Sequence, residues 1–195
     1  MTNSIAEIED AGCIFVIGSN TTACHPLVAR RVLKAKEKGA RLIVADPRNI
    51  QIGRFADIAV QHRLGSDVAL LYGMMHVIIA NNSHDAGYIE ARTENFQSMV
   101  ELLEDYPPER VQAITGVVPG DLEKMAALYA LNGPSSLLYA MGITQHTTGV
   151  DNLKSCCNLA MLCGNVGVSS GGVNPLSCLL YTSDAADDLL HVVVW

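Results

Sequence analysis

The sequence predicts an α/β protein with a doubly wound, mostly parallel sheet. Two short uninterrupted apolar runs, residues 13–17 and 42–45, read as strands buried on both faces. Between them lies a stretch with helical spacing. Strand, loop, helix and strand together occupy about 34 residues, one right-handed βαβ unit. Similar short runs then alternate with helical stretches as far as residue 163, the pattern of a sheet covered on both faces.

The elements follow in order. Glu7 to Gly12 is a polar lead-in to the first strand, which ends at Gly18. Ser19 to Cys24 is a polar loop. Pro26 suits a first helical turn because its missing N–H costs nothing there. Leu27, Val28, Arg31, Val32 and Ala35 follow at helical spacing, with Lys34, Lys36 and Lys38 toward the carboxyl end and Gly39 beyond it. The second strand runs into Asp46-Pro47-Arg48, and a third covers 57–60. A helix over 68–80 follows Arg63-Leu64-Gly65-Ser66-Asp67. Residues 81–93 hold a loop and a short helix, and 96–104 an amphipathic helix. A further helix starts at Pro108, and another covers 119–131. Residues 137–140 form a fourth strand delivering Met141-Gly142 to its tip. A helix over 148–163 ends at Gly164-Asn165, and 167–175, with three glycines, reads as loop.

Composition narrows the function. With 195 residues, 49% hydrophobic and 17% charged, the chain is long and apolar enough to bury a core and is not disordered. A net charge of −7 argues against gripping nucleic acid by charge, although one nucleotide ligand needs only local donors. No stretch of about 20 apolar residues exists to span a membrane. Met1 to Glu7 lacks a signal peptide's basic start and apolar run, so a cytoplasmic chain without direct membrane insertion is expected. The six cysteines, two of them adjacent at 156 and 157, form no paired CxxC motif. They read as reduced thiols. Met74, Met75, Met99, Met125 and Met161 read as core filler. His25, His62, His76, His84 and His146 make no metal-ligand motif, and no acid–base pair or P-loop is present.

In open parallel sheets ligands sit beyond the carboxyl ends of the strands. That rule nominates the loops 18–25, 46–48, 64–67 and 141–145. The first, Gly18-Ser19-Asn20-Thr21-Thr22-Ala23, is not GxGxxG. It is either a phosphate cradle or an ordinary turn. Asp46 ends the second strand, where dinucleotide-binding domains place a ribose acceptor, but stands 28 residues after Gly18 rather than the usual ~20. Asp46 and Arg48 either contact a ligand or pair with each other around Pro47. Asp67 either accepts from a guanine edge or caps a helix, a cap that Ser66 can share.

Several strings carry a resemblance to a known family. They are Met1-Thr2-Asn3-Ser4-Ile5, Val16-Ile17-Gly18-Ser19-Asn20, His25-Pro26 followed by Val28-Ala29, Asp46-Pro47-Arg48, Leu64-Gly65-Ser66-Asp67 and Ala69-Leu70-Leu71. Further on come His76-Val77-Ile78-Ile79, Ala91-Arg92-Thr93-Glu94, Ile114-Thr115-Gly116-Val117 and Met141-Gly142-Ile143-Thr144-Gln145-His146. Leu162-Cys163-Gly164-Asn165-Val166-Gly167 and Gly172-Val173-Asn174-Pro175 complete the set. Over residues 1–176 the chain resembles part of the catalytic chain of molybdenum- or tungsten-dependent formate dehydrogenases. These belong to the bis-molybdopterin guanine dinucleotide oxidoreductases.

The resemblance implies a Rossmann-like cofactor-binding domain over 1–166, with 167–176 starting a return to a neighbouring domain. Gly18, Ser19 and Asn20 would line the phosphates and nearby ribose. Asp46 and Arg48 would hold the ribose and guanine end. Gly65 and Asp67 would shape and read the guanine pocket, and Met141, Gly142 and Gln145 would approach from the fourth strand. It also implies molybdenum or tungsten on the bis-molybdopterin guanine dinucleotide, and a [4Fe–4S] cluster in a parent segment missing here. The partners implied are the other domains of the parent chain and electron-transfer subunits. The family's metal-ligand cysteine or selenocysteine, with its histidine, would lie upstream of Met1. Its substrate arginine would follow Leu176, where Ser177-Cys178 stands. Residues 177–195 have no family counterpart and read as translation into unrelated sequence or as a genuine tail. No catalytic residue is expected here, and the fragment alone is expected to be inactive. A nitrate reductase-like or respiratory-complex sibling, or a stand-alone guanine-nucleotide-binding module, remain as alternatives.

Overall fold

The computed structural model describes residues 2–176. The tail reading of 177–195 lies outside the described residues. Five strands make one sheet: β1 (Cys13–Ile17), β2 (Arg41–Ala45), β3 (Ile58–Val60), β4 (Ser135–Tyr139) and β5 (Val173–Pro175). Their order is β3-β2-β1-β4-β5 and all four pairings are parallel. The chain winds outward from β1 through β2 to β3, then crosses back to lay β4 on the other side of β1. The switch point of the sheet therefore falls between β1 and β4.

Alternation along the strands divides the core between two faces. Phe15, Ile17, Ile43, Ala45, Leu137 and Tyr139 point to one face. There they meet α3 (Asp67–Ala80), α7 (Pro119–Leu131) and α9 (Gly149–Leu162) through Leu70, Met74, Met125, Tyr129 and Leu159. Ile14, Val16, Leu42, Val44 and Leu138 point to the other, against Val28, Val32 and Ala35 of α2 (Pro26–Glu37) and Ile8 of a 3-10 turn, Ile5–Asp10. Helices on both faces explain why β1 is apolar at all five positions. Met74, Met75 and Met125 are fully buried. The first layer is completed by α4 (Ala86–Arg92), α5 (Phe96–Leu103) and α6 (Pro108–Thr115).

Asp57 ties the β2 edge together. It accepts from the Leu42 N–H at 2.7 Å and pairs with Lys36 of α2 and with Arg41. Burial pushes its carboxyl upward, but the Lys36 and Leu42 hydrogen bonds outweigh that and hold it below the usual range.

Several local readings change. Residues 167–175 are not all loop, because Val173–Pro175 is β5. A three-residue strand preceded by two glycines has no periodicity of its own. It is fixed by pairing with β4, by the Leu137 N–H donating to Gly172 at 2.9 Å, and by Thr2 and Asn3 beside it. β4 starts two residues earlier than its apolar run. Ser135 is admitted to the core because Asn165 Oδ1 accepts its N–H and its hydroxyl donates to Tyr129 O. Two further loops contain single helical turns, α1 (Thr21–Cys24) and α8 (Met141–Thr144), and a 3-10 turn covers Gln51–Phe55.

Candidate functional site

Strand register builds the site. Ile17 aligns with Ala45 and with Tyr139, so Gly18, Asp46 and Ala140 lie side by side at the carboxyl edge. The β1, β2, β3 and β4 loops enclose a cleft of about 480 Å³ there. All ten residues singled out in the sequence line it: Gly18, Ser19, Asn20, Asp46, Arg48, Gly65, Asp67, Met141, Gly142 and Gln145.

Gly18 and Gly142 bring two loops into backbone contact at the switch point. Gly18 has φ +57°, and the Gly142 N–H donates to its carbonyl at 3.1 Å. A Cβ on Gly142 would stand 2.4 Å from that oxygen. Ser19 is buried, with its hydroxyl 3.1 Å from that of Thr21. Asn20 Oδ1 accepts from the Thr22 hydroxyl at the start of α1.

Asp46 is 1% exposed and its carboxylate is engaged by Arg48. Oδ1 accepts from the Arg48 N–H at 2.9 Å and from Nε at 3.0 Å, and Oδ2 from Nη2 at 3.1 Å. Of the two readings left open, the structure contains the local pair around Pro47. Hydrogen bonding to Asp46 pushes the Arg48 guanidinium further up from its ordinary value. The guanidinium is largely exposed and borders the cleft, so the pair presents a cation there.

Across the cleft, Gly65 has φ +75° and a Cβ on it would meet no protein atom within 4 Å. Asp67 opens α3 and is 3% exposed, with Oδ1 2.9 Å from His62 Nε2. Met141 and Gln145 are exposed at the rim. The α8 turn that carries them is braced by Asn152 of α9, whose Nδ2 donates to Ile143 O at 2.9 Å.

Sequence reasoning passed over His62 because it belongs to no metal motif. The available signal was a histidine just past a strand end and five residues ahead of an acidic helix start. His25 and His146 also line the cleft, and partial burial lowers the His25 imidazole's proton affinity. Among the described residues, no group of three or more His, Cys, Asp and Glu side chains converges to hold a metal.

A family model described as molybdopterin oxidoreductase matches residues 1–192. The chain belongs to the molybdopterin oxidoreductase family. It is 49% identical over 176 residues to F420-dependent formate dehydrogenase 1 subunit alpha of Methanococcus maripaludis, covering 90% of this chain and 26% of that one. Formate dehydrogenase H of Escherichia coli is 42% identical over 90% of this chain and 25% of its own. A nitrate reductase of Symbiobacterium thermophilum is 36% identical over 84% of this chain and 23% of its own. The fold is similar to acetylene hydratase from Pelobacter acetylenicus, with a TM-score of 0.76 and 26% identity over 84% of this chain and 25% of that one. This molybdopterin oxidoreductase chain thus spans about a quarter of the length of the curated relatives it matches. No helix among its described residues is long and apolar enough to cross a membrane.

Proposed function

We propose that this chain is the guanine dinucleotide-binding portion of the catalytic subunit of a formate dehydrogenase. The observation that carries the reading is convergence. Ten residues from four separate βα loops, chosen from the sequence, line one cleft at the switch point of the sheet. The similarity to formate dehydrogenases at 49% and 42% identity supports the choice of reaction.

The residues present fit such a group. Gly18 and Gly142 form a side-chain-free floor where backbone approaches backbone, suited to a diphosphate. The exposed Arg48 guanidinium supplies a cation held in place by a buried carboxylate. Gly65 leaves the opposite wall open to a flat base, and Asp67 offers an acceptor to the N–H donors of guanine. Met141 and Gln145 stand at the rim to cover the nucleotide. Bis-molybdopterin guanine dinucleotide carrying molybdenum or tungsten, when bound, supplies the two-electron oxidation of formate to carbon dioxide. The part assigned to this chain is to bind and orient the nucleotide end. The metal ligand, the [4Fe–4S] cluster and the substrate arginine are assigned to other parts of the parent chain, and electron-transfer subunits are its proposed partners. Five free thiols among the described residues suit a reducing, cytoplasmic setting. The likeness to a nitrate reductase at 36% identity favours a sibling oxidoreductase as the second reading.

Calorimetric titration of the full chain with GDP and ADP tests the binding role. GDP should bind in preference to ADP, and Asp67→Asn should abolish the preference. Equal binding of both nucleotides, or none of either, overturns the reading. The residue that ligates the metal in the parent gene separates formate from nitrate chemistry. A cysteine or selenocysteine followed by histidine supports the former, and any other residue overturns it.

A further inference from the structure

The carboxylate assigned to guanine is not free to turn. Asp67 Oδ1 lies 2.9 Å from Nε2 of His62, a side chain with no exposed surface. His62 follows the end of β3 by two residues, on a loop pinned by the Arg63 N–H donating to Thr115 O at 2.9 Å. The other ring nitrogen, Nδ1, is buried without a hydrogen-bond partner among the described residues. Leaving a buried polar atom unpaired is costly, and an apolar side chain of similar size would avoid it. The polar contact to Asp67, the one that the His62 side chain makes among the described residues, is therefore the feature that its placement serves. Asp67 Oδ2 has no hydrogen bond among the described residues. The side chain, though largely buried, borders the cleft.

We propose that His62 is a positioning residue for base selection. Its neutral Nε2–H tautomer donates to Asp67 Oδ1 and fixes the carboxylate with Oδ2 presented to the N–H donors of a guanine edge. Adenine places an acceptor where guanine has its ring N–H, so a fixed carboxylate repels it, whereas a carboxylate free to rotate away does not. The bare Nδ1 follows from the same assignment, because an unpaired acceptor is cheaper to bury than an unpaired charged donor. The inference rests on the reading of Asp67 as the guanine contact.

The test compares four forms of the full chain by calorimetric titration with GDP and ADP: wild type, His62→Leu, His62→Gln and Asp67→Asn. The leucine variant should lose about tenfold of its GDP-over-ADP preference, the scale of one good base contact. Glutamine, whose amide can donate from a similar position, should recover most of it. If His62→Leu folds and keeps the preference that Asp67→Asn loses, the positioning role is overturned and the guanine reading stands. If Asp67→Asn keeps the preference, or the wild type has none, both fall. If the leucine variant does not fold, 15N chemical shifts of the wild-type imidazole decide. Nε2 protonated and Nδ1 bare, with the Nε2 resonance moved by GDP, supports the role. A protonated Nδ1, or a ring indifferent to GDP, overturns it.

Discussion

Replacing Gly142 by alanine should destabilise the fold, against the expectation from helix propensity. Gly142 lies in the short α8 turn and is not among the glycines with positive φ, so backbone strain does not forbid a side chain. Propensity alone would favour alanine by about 1 kcal/mol. The obstacle is steric. The new Cβ would stand 2.4 Å from the Gly18 carbonyl oxygen and 2.8 Å from its carbonyl carbon and Cα. Those atoms are backbone, held by the Gly18 N–H donating to Ala45 O at 3.1 Å. Relief requires the two loops to part. Overpacking of this kind costs about 1–3 kcal/mol. Losing the 3.1 Å Gly142–Gly18 hydrogen bond adds about 1 kcal/mol. After the propensity gain, the net loss is about 1–3 kcal/mol, a fall in Tm of about 2–12 °C for a chain of this size. Thermal unfolding followed by far-UV circular dichroism measures it. Gly120→Ala is the control, because that helical glycine is exposed and a Cβ there meets nothing within 4 Å. It should stabilise by up to about 1 kcal/mol. A Gly142→Ala protein that melts at or above wild type would refute the claim that the loops meet through their backbones.

Gly65→Ala should cost about 1 kcal/mol through its φ of +75° alone, with no clash, and should weaken GDP binding; unchanged melting and affinity would remove the strained turn from the site. Glu7 is held down at about 2, first by the Asn3 side chain and then by the Ser170 and Ser4 N–H groups. Its folded value lies below its unfolded one, so its stabilising contribution is present above about pH 4.3 and is lost as pH falls toward 2. Glu7→Gln should therefore flatten the acid side of the stability–pH curve, and an unchanged acid limb would show that this clasp does not couple to folding. Burial pushes the Cys13 and Cys163 thiols up to about 12 and raises Cys156 as well, while Cys24 is exposed. Among these four, iodoacetamide with peptide mapping should label Cys24 first and the other three only on unfolding. Rapid native labelling of Cys13 would contradict the buried β1.

Much of the fold was legible because its strands are covered on both faces. A strand such as Cys13–Ile17 must then be apolar at every position, and the helices between strands must carry one apolar face. The site was legible for a related reason. Once the strands are parallel, their carboxyl ends share one edge, and the residues just past them have to be neighbours. Gly18, Asp46 and Met141 could therefore be grouped without knowing any distance. β5 was not legible, since Val173–Pro175 has too few residues for a period and owes its conformation to β4 and the N-terminal segment. Ser135 lies outside the apolar run that marks the fourth strand, and it enters the core only through partners from other elements, Tyr129 O and Asn165 Oδ1.

The sequence by itself determined the fold class, the edge of the sheet at which the cleft opens and the residue types that line it. Those follow from local periodicity and from one rule of topology. Tertiary structure alone decided how the charges are spent. Asp46 is closed on Arg48 around a proline turn, Asp67 is clamped by His62, and Gly18 and Gly142 touch through their backbones. Each is a matter of distance and direction between side chains or loops. Linear spacing fixes neither, because the same residues at the same strand ends could have faced a ligand directly.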